Sequence, residues 1–302
     1  MGRLGFSYFP RVMNKKPRII FAGTAQNCAL FLPAVFSNID KMASLASEVA
    51  YVFVENDSTD ETKDVLNRWG TGRANFNLIN MDGLDAIPIR TLRLEIARNS
   101  YIEFIKTFKD YREYDLVIIL DMDDDGAHPI ELSKVEHAIN FLCERPDRAA
   151  VFANQLGKYI DVWALRHAKL CPGDAWEELI DYMIKNKVTP DEARAQTFDK
   201  RVQCFAPTMP PIEVESAFGG LGIYKVNYIK NNPNQYLGSK VKALPTDSGL
   251  LDIVRQEVCE HVHFNHGIRA IGGQLFIMPS LINGDYTIGT FADVEIPKLF
   301  FR

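Results

Sequence analysis

The sequence predicts an α/β fold in which a mostly parallel sheet is flanked by helices, with a helical and loop insertion in the second half of the chain. Over the first 150 residues, short apolar runs alternate with helical patterns, which is typical of a parallel sheet covered on both faces. The second observation is the stretch 155–215, which breaks this alternation and reads as an insertion or lid. In such sheets ligands bind at the carboxyl ends of the strands, so the strand ends are the first place to look for a site.

Five strands are predicted from apolar runs: Arg18–Ala22, Ala50–Val54, Asn75–Asn80, Asp115–Leu120 and Ala149–Ala153. The helices predicted between them are Cys28–Glu48, Thr59–Trp69, Thr91–Phe108 and Pro129–Cys143. Within the insertion, Ala175–Lys185 and Pro190–Asp199 read as helices and are followed by the proline-rich Ala206–Pro211.

Composition and charge narrow the class of protein. The 302 residues carry a net charge of −5, and we expect a single domain over 1–302 with no nucleic-acid partner, because no basic footprint is visible. Five widely spaced cysteines without a CxxC pair indicate reduced thiols, and the N-terminus lacks a signal-peptide pattern. The apolar stretch Ile19–Phe36 is interrupted by polar residues and Pro33, so we expect no integral membrane segment. The expected location is cytoplasmic, or that of a soluble catalytic domain whose anchor was removed.

An acidic cluster follows the strongest strand, in the segment DLVIILDMDDDG. Asp121, Asp123, Asp124 and Asp125 come directly after an apolar run, and their mutual repulsion favours a bound cation. Alternate residues of an extended chain point the same way, so Asp121 and Asp123 can face one site. Carboxylate oxygens suit Mg²⁺ or Mn²⁺. The alternative is a solvated acidic turn.

Two further segments carry polar groups at strand ends or on a buried helix face. In VFVENDSTDETKDVL, Ser58 or Thr59 can cap a helix, while Glu55 and Asp57 can hydrogen-bond a base or ribose. In RTLRLEIARNSYIEFIK, Arg98 borders an apolar helical stripe and needs an anionic partner. That partner is either a structural carboxylate or a donor phosphate.

Taken together, these segments resemble family-2 GT-A glycosyltransferases, which transfer a sugar from a nucleotide-sugar donor. VENDSTDETKDVL looks like their DDGSTDxT segment, and ARN followed by YDLVIILDMDD looks like their ARN and LDxDD stretch, in the same order. CEHVHFNHGIRAIGGQLFI resembles the later EDxxL helix. YIDVWALR and SAFGGLGIY more weakly resemble the fungal capsule-mannosyltransferase group.

The resemblance implies a GT-A fold with a nucleotide-sugar-binding half over 1–126 and an acceptor-binding half over 127–302. It assigns Asp121, Met122 and Asp123 to a DxD motif that holds the donor diphosphate through Mn²⁺ or Mg²⁺. The remaining donor-binding residues it implies are Ala22, Gly23, Thr24, Glu55, Asp57 and Arg98. Asn56 and Asp57 depart from the usual residues, and a UDP-sugar is the expected donor.

The sequence departs most from the family's pattern at the position of the catalytic base. Inverting relatives have Glu-Asp where this chain has Glu260 and His261, so either residue is a candidate base. His263 is the candidate third metal ligand. Glu213 and Glu215 are further acids that could reach an acceptor.

The expected function is therefore metal-dependent sugar transfer to an acceptor hydroxyl of a glycan or glycoconjugate, with inversion slightly preferred over retention. One alternative is a haloacid-dehalogenase-like phosphotransferase that uses Asp121 as nucleophile. The other is a catalytically inactive protein that binds sugar nucleotides.

Overall fold

The computed structural model describes residues 15–107, 113–245, 249–287 and 299–301. Its central sheet has eight strands in the order β3-β2-β1-β4-β7-β5-β10-β6, and a second sheet has three strands in the order β11-β9-β8. The strands are β1 Arg18–Ala25, β2 Glu48–Glu55, β3 Phe76–Asn80, β4 Leu116–Leu120, β5 Arg148–Leu156, β6 Ile212–Val214, β7 Leu221–Lys225, β8 Ser239–Pro245, β9 Leu251–Glu257, β10 Gln274–Asp285 and β11 Leu299–Phe301.

The helices are α1 Leu32–Ala43, α2 Thr62–Gly70, α3 Arg90–Thr107, α4 Asp124–Ala127, α5 Leu132–Glu144, α6 Ala175–Asn186, α7 Pro190–Gln196, α8 Phe198–Arg201, α9 Val226–Asn231 and α10 Glu260–Ala270, with a short 3₁₀ turn at Leu84–Ala86. This order confirms the expected α/β class, a mostly parallel sheet flanked by helices with a helical insertion.

The core is divided by the sheet into two layers. Ile19 and Phe21 of β1 belong to the cluster that contains residues of α1 and α5, whereas Ile20 and Ala22 belong to the cluster that contains residues of α3 and the insertion. This alternation is the consequence of side chains pointing to opposite faces along a strand. Because both faces are covered, β1 reads as a continuous apolar run.

Several predicted boundaries are wrong. The first predicted helix, Cys28–Glu48, is only Leu32–Ala43, because Pro33 sits in its first turn and the chain leaves the helix before Glu48 opens β2. The predicted caps of the second helix do not form, and α2 begins at Thr62. The hydroxyl of Ser58 instead accepts a hydrogen bond from the Asn27 backbone nitrogen at 3.0 Å. The predicted helix end at Phe108 lies outside the described residues.

Strand β7, which the sequence did not predict, contributes to the edge of the sheet at which β1, β2 and β4 end. β1, β2 and β4 are parallel, so their carboxyl ends lie along one edge. β7 runs antiparallel to both β4 and β5, and Leu221 at its start therefore lies opposite Leu120 at the end of β4. The glycines that precede β7 are brought to the same edge as the acidic cluster. The Asp121 backbone nitrogen donates to the Gly220 carbonyl oxygen at 2.9 Å.

Candidate active site

A cleft of about 640 Å³ opens at the carboxyl edge of the central sheet. Its lining comes from the ends of β1 and β2, the start of α3, the turn after β4, the residues before β7 and the first residues of α10, with a further wall from the insertion. The charged residues that line it are Arg90, Arg93, Arg98, Asp121, Asp123, Asp125, Asp161 and Glu260. Carboxylates and guanidinium groups therefore meet in one concave space, as expected of a site for an anionic ligand and a cation.

The acidic turn after β4 presents alternate carboxylates to the cleft. Asp121, Asp123 and Asp125 all line it, and so does Met122 between the first two, which is 1% exposed. Desolvation raises the pKa of Asp121 to about 6, and the negative charge of Asp125 adds to this while Arg98 opposes it. Desolvation, then the charges of Asp121 and Asp124, raises the pKa of Asp123. The carboxylates are thus held in mutual repulsion, which a bound cation would relieve.

Two glycines leave room for this arrangement. A side chain at Gly126 would collide with the Asp121 carbonyl oxygen. Gly220 has φ +77°, and a Cβ there would lie 3.3 Å from the Cβ of Asp125 and 3.6 Å from Oδ2 of Asp121. The space beside the carboxylates therefore depends on glycine at both positions.

Arg98 joins two parts of the site. Its Nε donates to Oε1 of Glu260 at 2.9 Å, and its Nη2 donates to Oδ1 of Asp121 at 3.2 Å. The arginine is 4% exposed. Of the two partners expected from the sequence, the structure shows the structural carboxylates, one at the end of β4 and one at the start of α10. A buried guanidinium requires such neutralisation.

The residues of β1 that line the cleft lie two positions further along the strand than the sequence predicted. Thr24, Ala25 and Gln26 line the cleft, whereas Ala22 and Gly23 are inside the sheet, because β1 continues to Ala25. Only Thr24 of the three expected residues reaches the cleft.

The acidic residues at and just after the end of β2 are also placed differently from the prediction. Oε1 of Glu55 accepts from the Ser58 backbone nitrogen at 2.9 Å, and Asp57 accepts from the backbone nitrogens of Gly83 and Asp85 at 2.6 and 3.0 Å. Neither residue lines the cleft, whereas Asn56 between them does. Both carboxylates therefore stabilise the adjacent loops, since carboxylates readily accept local backbone hydrogen bonds.

Glu260 and His261 at the start of α10 both line the cleft. The His261 ring stacks on Phe218, with centroids 3.9 Å apart, and meets Tyr236 edge-on. Its Nδ1 is buried and has no hydrogen-bond partner among the described residues. Burial, followed by the nearby charge of Arg98, holds the pKa of His261 well below its usual range. This imidazole is neutral and a weak proton acceptor.

The other residues proposed from the sequence lie elsewhere. His263 does not line the cleft, and its Nδ1 is 2.8 Å from the Gln235 carbonyl oxygen, so its assignment as a third metal ligand is not supported by its position. Two residues along a helix turn the side chain by roughly 200° from His261. Glu213 and Glu215 pair with Arg269 at 2.8 and 3.0 Å, also outside the cleft.

Asp161 is a site residue that the sequence did not reveal. It lines the cleft from the insertion, and its Oδ2 accepts a hydrogen bond from the Gly219 backbone nitrogen at 2.7 Å. Desolvation raises its pKa to about 7 against the effect of two backbone hydrogen bonds. The segment YIDVWALR contains this aspartate within a largely apolar run, which indicates that its carboxylate needs a polar partner. The neighbouring residues do not indicate which part of the protein supplies that partner.

The carboxylates of the acidic turn suit a divalent cation whose coordination shell is completed by groups from outside the protein. Among the described residues no group of three or more His, Cys, Asp or Glu side chains is assembled tightly enough to hold a metal ion by itself. Two carboxylates of an acidic turn are nevertheless what Mg²⁺ commonly takes from a protein, with waters and substrate phosphates completing its shell. Asp121 and Asp123, with the room left by Gly220, fit that arrangement.

No protein-family model and no curated protein matches the chain. A mannosyltransferase from Pyrobaculum calidifontis, solved in complex with GDP-mannose and Mn²⁺, is similar to it over 92% of this chain and 59% of that one, with a TM-score of 0.50 and 15% identity. The chain thus spans less than two thirds of that structure. This similarity shows that the chain shares the fold of that structure, the GT-A fold.

Two other solved structures are similar at lower scores. A structure of S. aureus TarS is 12% identical over 88% of this chain and 59% of its own, with a TM-score of 0.44. Glucosyl-3-phosphoglycerate synthase from Mycobacterium tuberculosis in complex with UDP is 10% identical over 93% and 74%, with a TM-score of 0.41. These TM-scores are too low to add to the assignment of the fold. No helix in the described part of the chain is long and apolar enough to cross a membrane.

Proposed function

We propose that this protein is a glycosyltransferase that moves a sugar from a nucleoside-diphosphate donor to an acceptor hydroxyl, with Mn²⁺ or Mg²⁺ as cofactor. The observation that carries the proposal is the pair Asp121 and Asp123 in the cleft at the carboxyl edge of a GT-A sheet. Ligands of α/β sheets bind at this edge. A UDP-sugar is the proposed donor, and a glycan or glycoconjugate is the proposed acceptor.

Each part of the cleft suits one part of the donor. Thr24, Gln26 and Asn56 supply polar groups for the nucleoside at the ends of β1 and β2. Arg90 and Arg93 line the cleft at the start of α3, where their charges and the helix N-terminus favour a diphosphate.

Asp121 and Asp123 are the proposed ligands of the cation. When bound, the metal stabilises the negative charge that develops on the leaving diphosphate. Arg98 fixes the orientation of Asp121 through the 3.2 Å hydrogen bond and leaves its second oxygen for the cation. The same bond argues against the phosphotransferase alternative, because a nucleophilic Asp121 would have its charge partly neutralised by the arginine.

The test is a panel of nucleotide sugars with Mn²⁺ or Mg²⁺, monitored for release of nucleoside diphosphate. We expect release from one donor class, its loss in EDTA and its recovery with added metal. Full turnover in EDTA would contradict the role of the metal. Phosphate release from phosphomonoesters without turnover of any nucleotide sugar would favour the phosphotransferase. Nucleotide binding without any turnover would favour the inactive protein.

A further inference from the structure

The insertion provides one wall of the cleft, and it is held there by a compact set of hydrogen bonds. Oε1 of Gln155 accepts from the backbone nitrogens of Ile160 and Asp161 at 2.8 and 3.2 Å. These bonds turn the chain after β5 so that Ile160, Asp161 and Trp163 all line the cleft. The carboxylate of Asp161 is oriented by the turn that precedes β7, because the Gly219 nitrogen donates to its Oδ2.

Gly219 makes this position of the carboxylate possible. Its φ is +65°, and a Cβ there would collide with the Ala153 carbonyl oxygen. The next residue, Gly220, lies against Asp121 and Asp125. The residue that holds Asp161, Gly219, is therefore the direct neighbour of the glycine that lies against Asp121, one of the two proposed metal ligands.

The three acid–base candidates in the cleft differ in what their side chains contact. Glu260 is 4% exposed and paired with Arg98, so taking up a proton would leave a buried guanidinium without one of its two partners. His261 is held between aromatic rings and is 3% exposed. Asp161, in contrast, has no lysine, arginine or histidine at ion-pair distance among the described residues, and its carboxylate accepts a hydrogen bond from the backbone nitrogen of Gly219.

We propose that Asp161 is the residue that takes the proton from the acceptor hydroxyl, an assignment that rests on the proposed glycosyltransferase function. In this step the acceptor O–H bond breaks and its proton moves to the Asp161 carboxylate. The acceptor oxygen forms a bond to the anomeric carbon, and the bond from that carbon to the diphosphate oxygen breaks with its electron pair leaving on the diphosphate. Glu260 and His261 then have positioning roles.

The same wall offers a surface for an acceptor sugar. Trp163 is half-buried in the cleft lining, and its indole nitrogen is a buried donor that lacks a partner in the described part of the chain. Unpaired buried donors are rare and call for an explanation, and an aromatic face beside a carboxylate is a common arrangement in ligand pockets. A sugar whose hydroxyl reaches Asp161 would lie next to this side chain.

The test uses Asp161→Asn, because asparagine keeps the shape and can still accept the Gly219 hydrogen bond. With the donor found in the nucleotide-sugar panel, and with water or a simple glycoside as acceptor, we expect kcat to fall by about 10²–10⁴-fold. The KM for the donor and the thermal shift caused by nucleoside diphosphate with Mn²⁺ should stay at wild-type values. Azide is an anionic acceptor with no proton to lose, and it should restore nucleoside diphosphate release in the variant to within about tenfold of the wild-type rate with azide.

Asp285→Asn is the matched control, since Asp285 also accepts a backbone hydrogen bond, from Thr287 at 2.9 Å, but does not line the cleft. It should retain wild-type rates. Near-normal transfer by Asp161→Asn, a raised donor KM, or a loss that azide does not restore would each overturn the role of Asp161 while leaving the proposed function in place. Absence of nucleoside diphosphate release by the wild-type protein from every donor would overturn both.

Discussion

Arg98 shows at the level of one residue how the site is held together. Its guanidinium lies between carboxylates that are 139 positions apart in the chain, Asp121 after β4 and Glu260 at the start of α10. Its charge is also 5.3 Å from the centroid of the Phe218 ring. Because the side chains of Arg98 and Glu260 are almost completely removed from water, loss of the arginine would leave the Glu260 carboxylate buried without its ion-pair partner.

We predict that Arg98→Met lowers the free energy of unfolding by about 3–5 kcal/mol, the usual cost of removing one partner from a buried ion pair. Urea unfolding measures this. Arg145→Met is the control, because the Arg145–Asp147 pair is on the surface, with side chains 51% and 37% exposed, and should be worth about 1 kcal/mol or less. An equal loss of unfolding free energy in the two variants would show that the buried ion pair stabilises the fold no more than the surface pair does.

The second residue-scale prediction concerns the proposed metal ligand Asp123. Replacing it with asparagine should reduce donor turnover by at least about 10²-fold, the scale of losing a charge-stabilising group. Asp124→Asn is the matched control, because this exposed neighbour does not line the cleft. Steady-state rates over a Mn²⁺ titration would show the difference, and equal losses in the two variants would remove Asp123 from the metal site.

The burial of His261 leads us to predict that the free energy of unfolding depends on pH. The folded protein keeps this imidazole neutral, because burial and Arg98 hold its pKa well below the usual range, whereas the unfolded chain protonates it below about pH 6.5. Above that pH both states are neutral and the residue contributes no pH dependence. Below it the unfolded state binds the extra proton, so stability falls by about 1.4 kcal/mol per pH unit.

The measurement compares wild type with His261→Phe, which keeps an aromatic ring against Phe218. Unfolding free energies from pH 7.5 to 5.5 should show a steeper decline in the wild type. The difference between the two proteins should be constant above about pH 7. Parallel curves over the whole range would mean that His261 accepts a proton in the folded state.

At the scale of elements, the acidic turn is shaped by the short helix that follows it. α4 begins at Asp124, directly after β4 and the two proposed metal ligands. The chain can reverse this tightly because Gly126 allows the turn to pack against the Asp121 carbonyl oxygen. Asn38 of α1 fixes the far side by donating to the carbonyl oxygens of Gly126 and His128 at 3.0 and 2.7 Å.

Gly126→Ala should therefore push the turn away from β4. We expect a loss of about 1–3 kcal/mol in stability, typical of overpacking, together with weaker Mn²⁺-dependent turnover. Gly173→Ala is the control, since nothing lies within 4 Å of a Cβ at that position. Denaturant unfolding and kinetics of both variants would test this, and a Gly126→Ala protein of wild-type stability would contradict the packing argument.

At the scale of the whole molecule, the sheet gathers groups from distant parts of the chain at one edge. Parallel pairing places the ends of β1 and β4 at this edge, and antiparallel β7 returns the Gly219–Gly220 pair to the same edge. The insertion and α10 then close the cleft from the other half of the chain. The two halves share one sheet, since β5 and β10 continue it beyond β7.

Ligand binding at this shared edge should stabilise the whole fold. UDP with Mn²⁺, at about 100 times the dissociation constant, should add about 2.7 kcal/mol to the stability of the folded state and raise the melting temperature by a few degrees. EDTA should remove the shift. A higher melting temperature with GDP but not with UDP would change the proposed donor to a GDP-sugar. An unchanged melting temperature with every nucleotide would count against the proposed nucleotide site.

The sequence by itself determined the α/β class, the positions of β1, β2 and β4, and the acidic cluster that follows β4. These features are local: an apolar run of five residues and a run of aspartates are visible without knowing what lies beside them. The boundaries were less well predicted, as with the helix expected over Cys28–Glu48, because Pro33 and the turn before β2 interrupt it.

Only the tertiary structure decided which side chains share the cleft. Glu55 and Asp57 fit a donor-binding motif in the sequence, but their carboxylates are used by nearby backbone nitrogens, and Asn56 faces the cleft instead. Asp161 reaches the site only because antiparallel β7 brings Gly219 to it. Such contacts join residues far apart in the chain, and local periodicity holds no information about them.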